Sequence, residues 1–164
     1  MPVTNNITRL LESRKIPFVA FELPPEKLGA QGTAEFLGVA PEIVFKTIVV
    51  LREKPGKPVL AVVPGTAEVD LKLLARVLGE KKMHLATEKE AELMTGLKVG
   101  GISPLALINR GFQTVIDSSA EKHDQIHVSG GQRGLNIRLP ANALVKLTNA
   151  RFAVICLPDT NGAV

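Results

Sequence analysis

Residues 42–53, EIVFKTIVVLRE, and 57–65, KPVLAVVPG, are two apolar, β-branched runs separated only by KPG. Runs this short and this rich in valine and isoleucine favour strands, and a connection containing Pro and Gly makes them a hairpin or neighbouring strands. The fold must contain a sheet, and the flanking segments decide its kind. NITRLLESR sets Ile7, Leu10 and Leu11 at helical spacing, and KIPFVAFEL then alternates as a strand does. From Pro24 to Thr33 the chain turns polar and small, which predicts a loop near a site, with a short helix over TAEFLG. DLKLLARVLG is an amphipathic helix that Asp70 caps and Gly79 ends, and TEKEAELMTG opens on Thr87 three residues before Glu90, a capping-box pattern closed by Gly96. These two helices flank the short run KMHLA. QTVID, QIHVSGG, GLNIRL and RFAVICL are expected as strands, and PANALVKL as a helix with Pro140 in its first turn. The order is mixed, so the expected class is α/β or α+β: a mixed, largely antiparallel curved sheet or barrel with helices packed outside. At 164 residues and 45% hydrophobic composition, one domain over 1–164 is expected, with one sizeable core.

Charge and cysteine usage narrow the function classes. Twenty Lys plus Arg against 16 Asp plus Glu leave a net charge of +4, too modest by itself to announce a nucleic-acid partner. The stretch from Gln125 to Pro158 holds no acid and carries Arg133, Arg138, Lys146 and Arg151, either a positive face or scattered surface cations. Cys156 is the only cysteine, which excludes an intramolecular disulfide and a cysteine-based zinc site; within RFAVICL it is expected to be a core thiol. The N-terminal residues lack a signal-peptide core, and no apolar stretch approaches the roughly 20 residues that span a bilayer, so a soluble cytoplasmic protein without a membrane partner is expected. With no Trp or Tyr and six Phe there are few platforms for stacking a long single strand. A bound nucleic acid would be gripped at one end or by its phosphates, and DNA is not expected.

Few residues advertise chemistry. Lys46 is the only charge in IVFKTIVVL: either its stem covers apolar surface at a solvent face, or its ammonium enters a cleft to hold a phosphate or polar substrate. Thr47 would then point to the other face, with its backbone still able to serve the same cleft. VGGISPLAL, residues 99–107, breaks an apolar run with two glycines and Pro104: either a turn, or a place where main chain approaches a ligand. SGGQRGL, residues 129–135, fits a hairpin turn, matches neither phosphate-loop nor dinucleotide spacing, and carries Ser129 and amides able to bind an anion or ribose. His123 and His127 would share a helical face and suggest a metal, but the segment runs into a strand and lacks a third ligand, so no metal is expected. No nucleophile elbow or Ser/His/Asp arrangement is evident.

VFKTIVV, KVGGISPLAL, TVIDSSA and VSGGQRGLNIRL, in this order and at these separations, resemble the YbaK/EbsC family of free-standing aminoacyl-tRNA deacylases, related to the editing domain of bacterial prolyl-tRNA synthetases. The resemblance spans nearly the whole chain and implies a mixed sheet with a barrel-like core and surrounding helices. It implies Lys46, Gly100 and Gly101 as catalytic, with Lys46 on the phosphate or ribose of the acceptor end and glycine amides stabilising charge on the ester oxygen. It implies Phe21, Thr47, Ile102, Ser103, Pro104, Ser129, Gly130, Gly131 and Asn136 as substrate-binding. The implied reaction removes a misattached small amino acid, Cys or Ala, from tRNA(Pro), by attack of the substrate's own thiol or of water, without a cofactor. Such a second sieve is needed because one missing methylene gives a synthetase only about 1–3 kcal/mol of discrimination. The implied partners are the 3′ acceptor end of aminoacyl-tRNA and prolyl-tRNA synthetase. The cysteine-specific subgroup carries a tyrosine on the first strand and an acid after the Ser-Gly-Gly turn, where this chain has Phe21 and Asn136, which keeps alanine in play. The alternative class is a non-catalytic module that holds tRNA or a nucleotide in the same cleft.

Overall fold

A computed structural model of the chain describes residues 4–157. In chain order the elements are α1 (Asn6–Ser13), β1 (Val19–Glu22), α2 (Gly29–Leu37), β2 (Phe45–Arg52), β3 (Val59–Pro64), α3 (Leu71–Leu78), β4 (Met83–Leu85), α4 (Glu88–Thr95), β5 (Gln113–Asp117), β6 (Gln125–Ser129), β7 (Leu135–Pro140), α5 (Ala141–Leu147) and β8 (Arg151–Ala153). The two β-branched runs form the β2–β3 hairpin, with Phe45 opposite Pro64 and Val50 opposite Val59. Around it a five-stranded sheet runs β4-β2-β3-β5-β8, antiparallel at β4-β2-β3 and parallel at β3-β5-β8. A three-stranded antiparallel sheet, β1-β7-β6, stands beside it.

β3 is buried along its whole length, because both faces of the larger sheet are covered. On one face Leu74 of α3 packs with Val50, Val59, Ala61 and Val63. On the other, Val49 and Leu60 meet Ala91 of α4, Ile102 and Leu107, while Phe45, Val62 and Ile116 meet Ile126, Val128, Leu135, Ile137 and Leu139 of the smaller sheet. The helices begin and end where local chemistry directs. Asp70 accepts from the amides of Lys72 and Leu73, Thr87 and Glu90 form a capping box, and Gly79 and Gly96 close α3 and α4 at φ 71° and 74°.

Four expectations change. Among the described residues the sheets do not close into a barrel: one parallel bridge, Val44 to His127, joins them, and beyond it β2 is left without a neighbour until Val49. The Pro24–Thr33 stretch is only partly loop, since α2 begins at Gly29 inside it, held by burial of Thr33 and Ala34 instead of by a side-chain cap. The final strand stops at Ala153, and half-buried Cys156 lies beyond it in a single bridge to Val69, outside the fully sealed core. Pro140 ends β7 and caps α5 from outside, because its missing amide donor is harmless there. Among the described residues no helix is long and apolar enough to cross a membrane.

Candidate functional site

A cleft of about 330 Å³ opens where the two sheets part. Its floor is the uncovered edge of β2. Peptide groups along a strand alternate sides. The Val44 carbonyl accepts from Gly65 on the β3 side, and the Val49 carbonyl accepts from Ala86 at 3.0 Å on the opposite side. The N–H and C=O of Thr47 therefore face away from β3, into the cleft they line, without a partner among the described residues. Unpaired peptide groups in a concave site require water or a ligand.

Alternation also separates the β2 side chains. Lys46 stands opposite Val63, and its Nζ lies 3.3 Å from Glu68 Oε1; Thr47 shares the other face with Val49. Both residues line the cleft, because it follows the strand edge. Glu68 is 77% exposed at its side chain, so this ion pair is weakly held and its ammonium is available to a competing anion.

The two glycine-rich segments, far apart in sequence, interlock at the rim. Arg133 Nε donates to the Val99 carbonyl at 2.7 Å, and Ser129 Oγ donates to the Gly100 carbonyl at 3.4 Å. Gly100 is exposed, has φ 95° and lines the cleft. Gly101 is buried, its N–H donates to the Lys98 carbonyl at 2.7 Å, and a Cβ there would sit 2.8 Å from Gln132 Cα. Its geometry makes it the point of close approach between the segments, and its amide is already engaged. Ile102 lines the cleft, whereas Ser103 and Pro104 are buried behind it, Ser103 Oγ accepting from Leu105 N–H to start the 3-10 turn Pro104–Leu107. Gly130 packs under Leu135 and donates to its carbonyl, and Gly131, at φ 90°, lies against Ile7; neither lines the cleft.

The hairpin β6–β7 delivers the polar side chains. Ser129 and Asn136 are opposite one another and both line the cleft. Asn136 Oδ1 lies 2.8 Å from Nδ1 of His127, a buried histidine that the sequence offered only as a metal ligand. Burial pushes the His127 pKa down, the Asn136 hydrogen bond opposes this, and the Arg138 guanidinium reinforces it, so the ring is neutral at neutral pH. Phe21 does not line the cleft; its ring sits 5.6 Å from that of His127 and 5.6 Å from the Arg138 guanidinium, backing the histidine. His123 follows the 3-10 turn Ser118–Lys122, so the two histidines share no helix face. Among the described residues no three of His, Cys, Asp and Glu gather into a metal site.

At the mouth, Lys27 pairs with Glu88, and this contact holds the Glu88 carboxyl below its usual range. Cys156 is no nucleophile: burial, then the Asp117 carboxylate, pushes its thiol far up. Of the basic residues after Gln125, Arg133 and Arg138 sit beside the site, while Arg151 donates to the Val77 carbonyl at the end of α3.

The fold is shared with solved structures. One of hypothetical protein APE2540 superposes with a TM-score of 0.84 at 22% identity, over 93% of this chain and all of the other. One of a candidate trans-editing enzyme for prolyl tRNA synthetase gives 0.78 at 25% identity, over 95% and 99%. In sequence, the chain is 39% identical over 152 residues to EbsC of Enterococcus faecalis, a candidate Cys-tRNA(Pro)/Cys-tRNA(Cys) deacylase, covering 92% of each. It is 31% identical over 109 residues to the proline–tRNA ligase of Thermodesulfovibrio yellowstonii, 66% of this chain but 18% of that enzyme. The family model for the aminoacyl-tRNA editing domain matches residues 24–147, which contain the whole cleft apart from Leu23. The chain accordingly belongs to the aminoacyl-tRNA editing domain family.

Proposed function

We propose that this protein is a trans-editing aminoacyl-tRNA deacylase that removes a small misattached amino acid, Cys or Ala, from tRNA(Pro). The observation that carries this reading is the convergence of Lys46, Thr47, Gly100, Ser129 and Asn136, from separate segments, on one cleft sized for the end of an acceptor strand. An aminoacyl ester is already activated, so a site made mostly of hydrogen-bond donors and main chain suits it. In this reading Lys46 leaves Glu68 for a phosphate or ribose of the terminal nucleotide, a charge-assisted contact. The open peptide groups of Thr47 and the N–H of Gly100, which has no partner among the described residues, align the acyl end. Water, or the thiol of a cysteinyl substrate, adds to the ester carbonyl; the C–O bond breaks, and the 3′ oxygen leaves carrying a proton. The resemblance to a segment of proline–tRNA ligase supports tRNA(Pro) as the substrate and the synthetase as a partner.

The test is deacylation of Cys-tRNA(Pro), Ala-tRNA(Pro) and correctly charged controls, with and without prolyl-tRNA synthetase. The expected result is selective turnover of one mischarged species, and a loss of about 10- to 100-fold in Lys46→Ala, the scale of one charged hydrogen bond. Binding that weakens with salt and yields no turnover on any species would replace this reading with a non-catalytic tRNA-binding module.

A further inference from the structure

Asn136 is 4% exposed, yet it lines the cleft. Its Oδ1 is engaged by His127 Nδ1, while its Nδ2 has no partner among the described residues and is not sealed from solvent. Two arrangements satisfy the 2.8 Å contact. In one, Nδ1–H donates to Oδ1 and the amide amine faces the cleft. In the other, the amide is reversed, Nδ1 accepts, and the ring's proton sits on Nε2.

His127 Nε2 decides between them, because it is buried without a partner among the described residues. A buried N–H donor without an acceptor is rarer and more costly than an unpaired acceptor lone pair. The first arrangement leaves only a lone pair there. Burial, reinforced by Arg138 opposite His127 in the ladder, disfavours a second proton on the ring, so Nε2 is not forced to become a donor by protonation. Phe21, opposite Asn136 on β1, backs the imidazole from across β7, with ring centroids 5.6 Å apart.

We propose that His127 is a positioning residue that locks the Asn136 amide with its amine turned into the cleft, where it donates a hydrogen bond to the carbonyl oxygen of the aminoacyl ester. The identity of that acceptor rests on the deacylase reading. The placement suits it: Asn136 stands opposite Ser129, whose hydroxyl touches the Gly100 carbonyl, so the amine and the glycine loop border the same corner. An uncharged donor beside Arg138 favours an acceptor gathering negative charge. A carboxylate at this position would present only acceptors and repel that charge. The polarity at residue 136 thus helps set which end of the acyl group this corner takes.

The experiment compares wild type with Asn136→Asp, which keeps the size and the His127 contact but replaces donor by acceptor, and His127→Phe, which fills the ring's space but frees the amide. Turnover is measured on the charged-tRNA panel, and binding by NMR with the non-hydrolysable probes 3′-alanylamino- and 3′-cysteinylamino-3′-deoxyadenosine. Loss of an oxyanion donor predicts a fall of about 100-fold in kcat for Asn136→Asp, with melting temperature retained and a smaller change in KM. His127→Phe is expected to lower kcat less. In wild type, His127 shows the Nδ1–H tautomer and the Asn136 amine protons shift as either probe binds. Asn136→Asp turnover within threefold of wild type, an Nε2–H tautomer, or amine protons that ignore a bound probe each overturn the proposal. A wild type that shows the amine shift but cleaves no charged tRNA instead overturns the deacylase reading and leaves the donor assignment standing. If neither probe binds and no tRNA is cleaved, both fail.

Discussion

The two glycine-rich segments at the rim use the same residue for different ends. In 99–104 the main chain itself reaches the cleft: Gly100 is exposed at φ 95°, and Gly101 lets the loop press on Gln132. In 129–134 Gly130 and Gly131 face inward, against Leu135 and Ile7, Gly134 alone of the three lines the cleft, and the turn serves as a pedestal for Ser129 and Asn136 on its flanking strands. Glycine content alone therefore does not mark a ligand-binding backbone; the same composition also makes a compact support.

The comparison breaks most readily at the contact between the segments. Gly101→Ala drives a Cβ into Gln132 backbone at 2.8 Å, which cannot yield without moving the turn, so it should cost roughly 1–3 kcal/mol by denaturant titration and raise KM. Gly130→Ala meets Leu135 Cγ at 2.5 Å under a buried side chain and should destabilise by a similar amount, about 1–3 kcal/mol, with KM less affected because the 99–104 loop stays in place. Equal KM changes would erase the distinction. Gly100→Ala has van der Waals space but an unfavourable φ of 95°, so a loss of about 1 kcal/mol is expected, with turnover reduced beyond what that loss explains. A turnover loss no larger than the stability loss would make Gly100 a bend alone.

Acid should act through the pedestal. His127 has a folded pKa below its ordinary value, so above about pH 6.5 both folded and unfolded states are neutral there and its contribution is constant. As pH falls below 6.5 the unfolded chain takes the proton first, and the folded state loses stability. Melting temperature should decline from pH 7 to 5.5, with a shallower decline in His127→Phe; identical slopes would place the sensitivity elsewhere. The smallest effect is Ser129→Ala. Its hydrogen bonds of 3.4 and 3.3 Å are long, so it should change stability by no more than about 0.5 kcal/mol and turnover by less than threefold. A hundredfold loss of turnover at unchanged stability would mean that Ser129 contacts the reacting atoms.

Elements whose signals are local were legible in the sequence. Asp70, Thr87 with Glu90, and the glycines closing α3 and α4 each act within a turn of the helix they delimit. The glycine-bearing start of α2 was not legible, because a helix without a cap depends on packing that only the assembled cleft provides. Nor was the parallel order β3-β5-β8, set by contacts between segments distant in sequence. In the site, Lys46, Thr47, Gly100, Ile102, Ser129 and Asn136 meet at the cleft, while Gly101, Ser103, Pro104, Gly130 and Gly131 hold its walls. The His127–Asn136 pair was missed although a signal existed. A hairpin through SGGQRG that pairs Ser129 with Asn136 puts residues 127, 129, 136 and 138 on one face. The four-residue spacing of His123 and His127, which mimics one turn of helix, masks it.

Asn5, at the start of α1, donates through its side chain to the Gly130 carbonyl, and β1 pairs along β7. The pedestal that carries Asn136 is thus fastened by the first residues of the described chain, across a sequence separation of 125. Closing so long a loop is entropically costly and slow, and it waits until both ends exist. During synthesis the central hairpin is available early, but the cleft's second wall is braced only after residues near 136 have emerged and the opening segment returns to meet them. An N-terminal deletion would therefore disable the site without removing any residue that lines it.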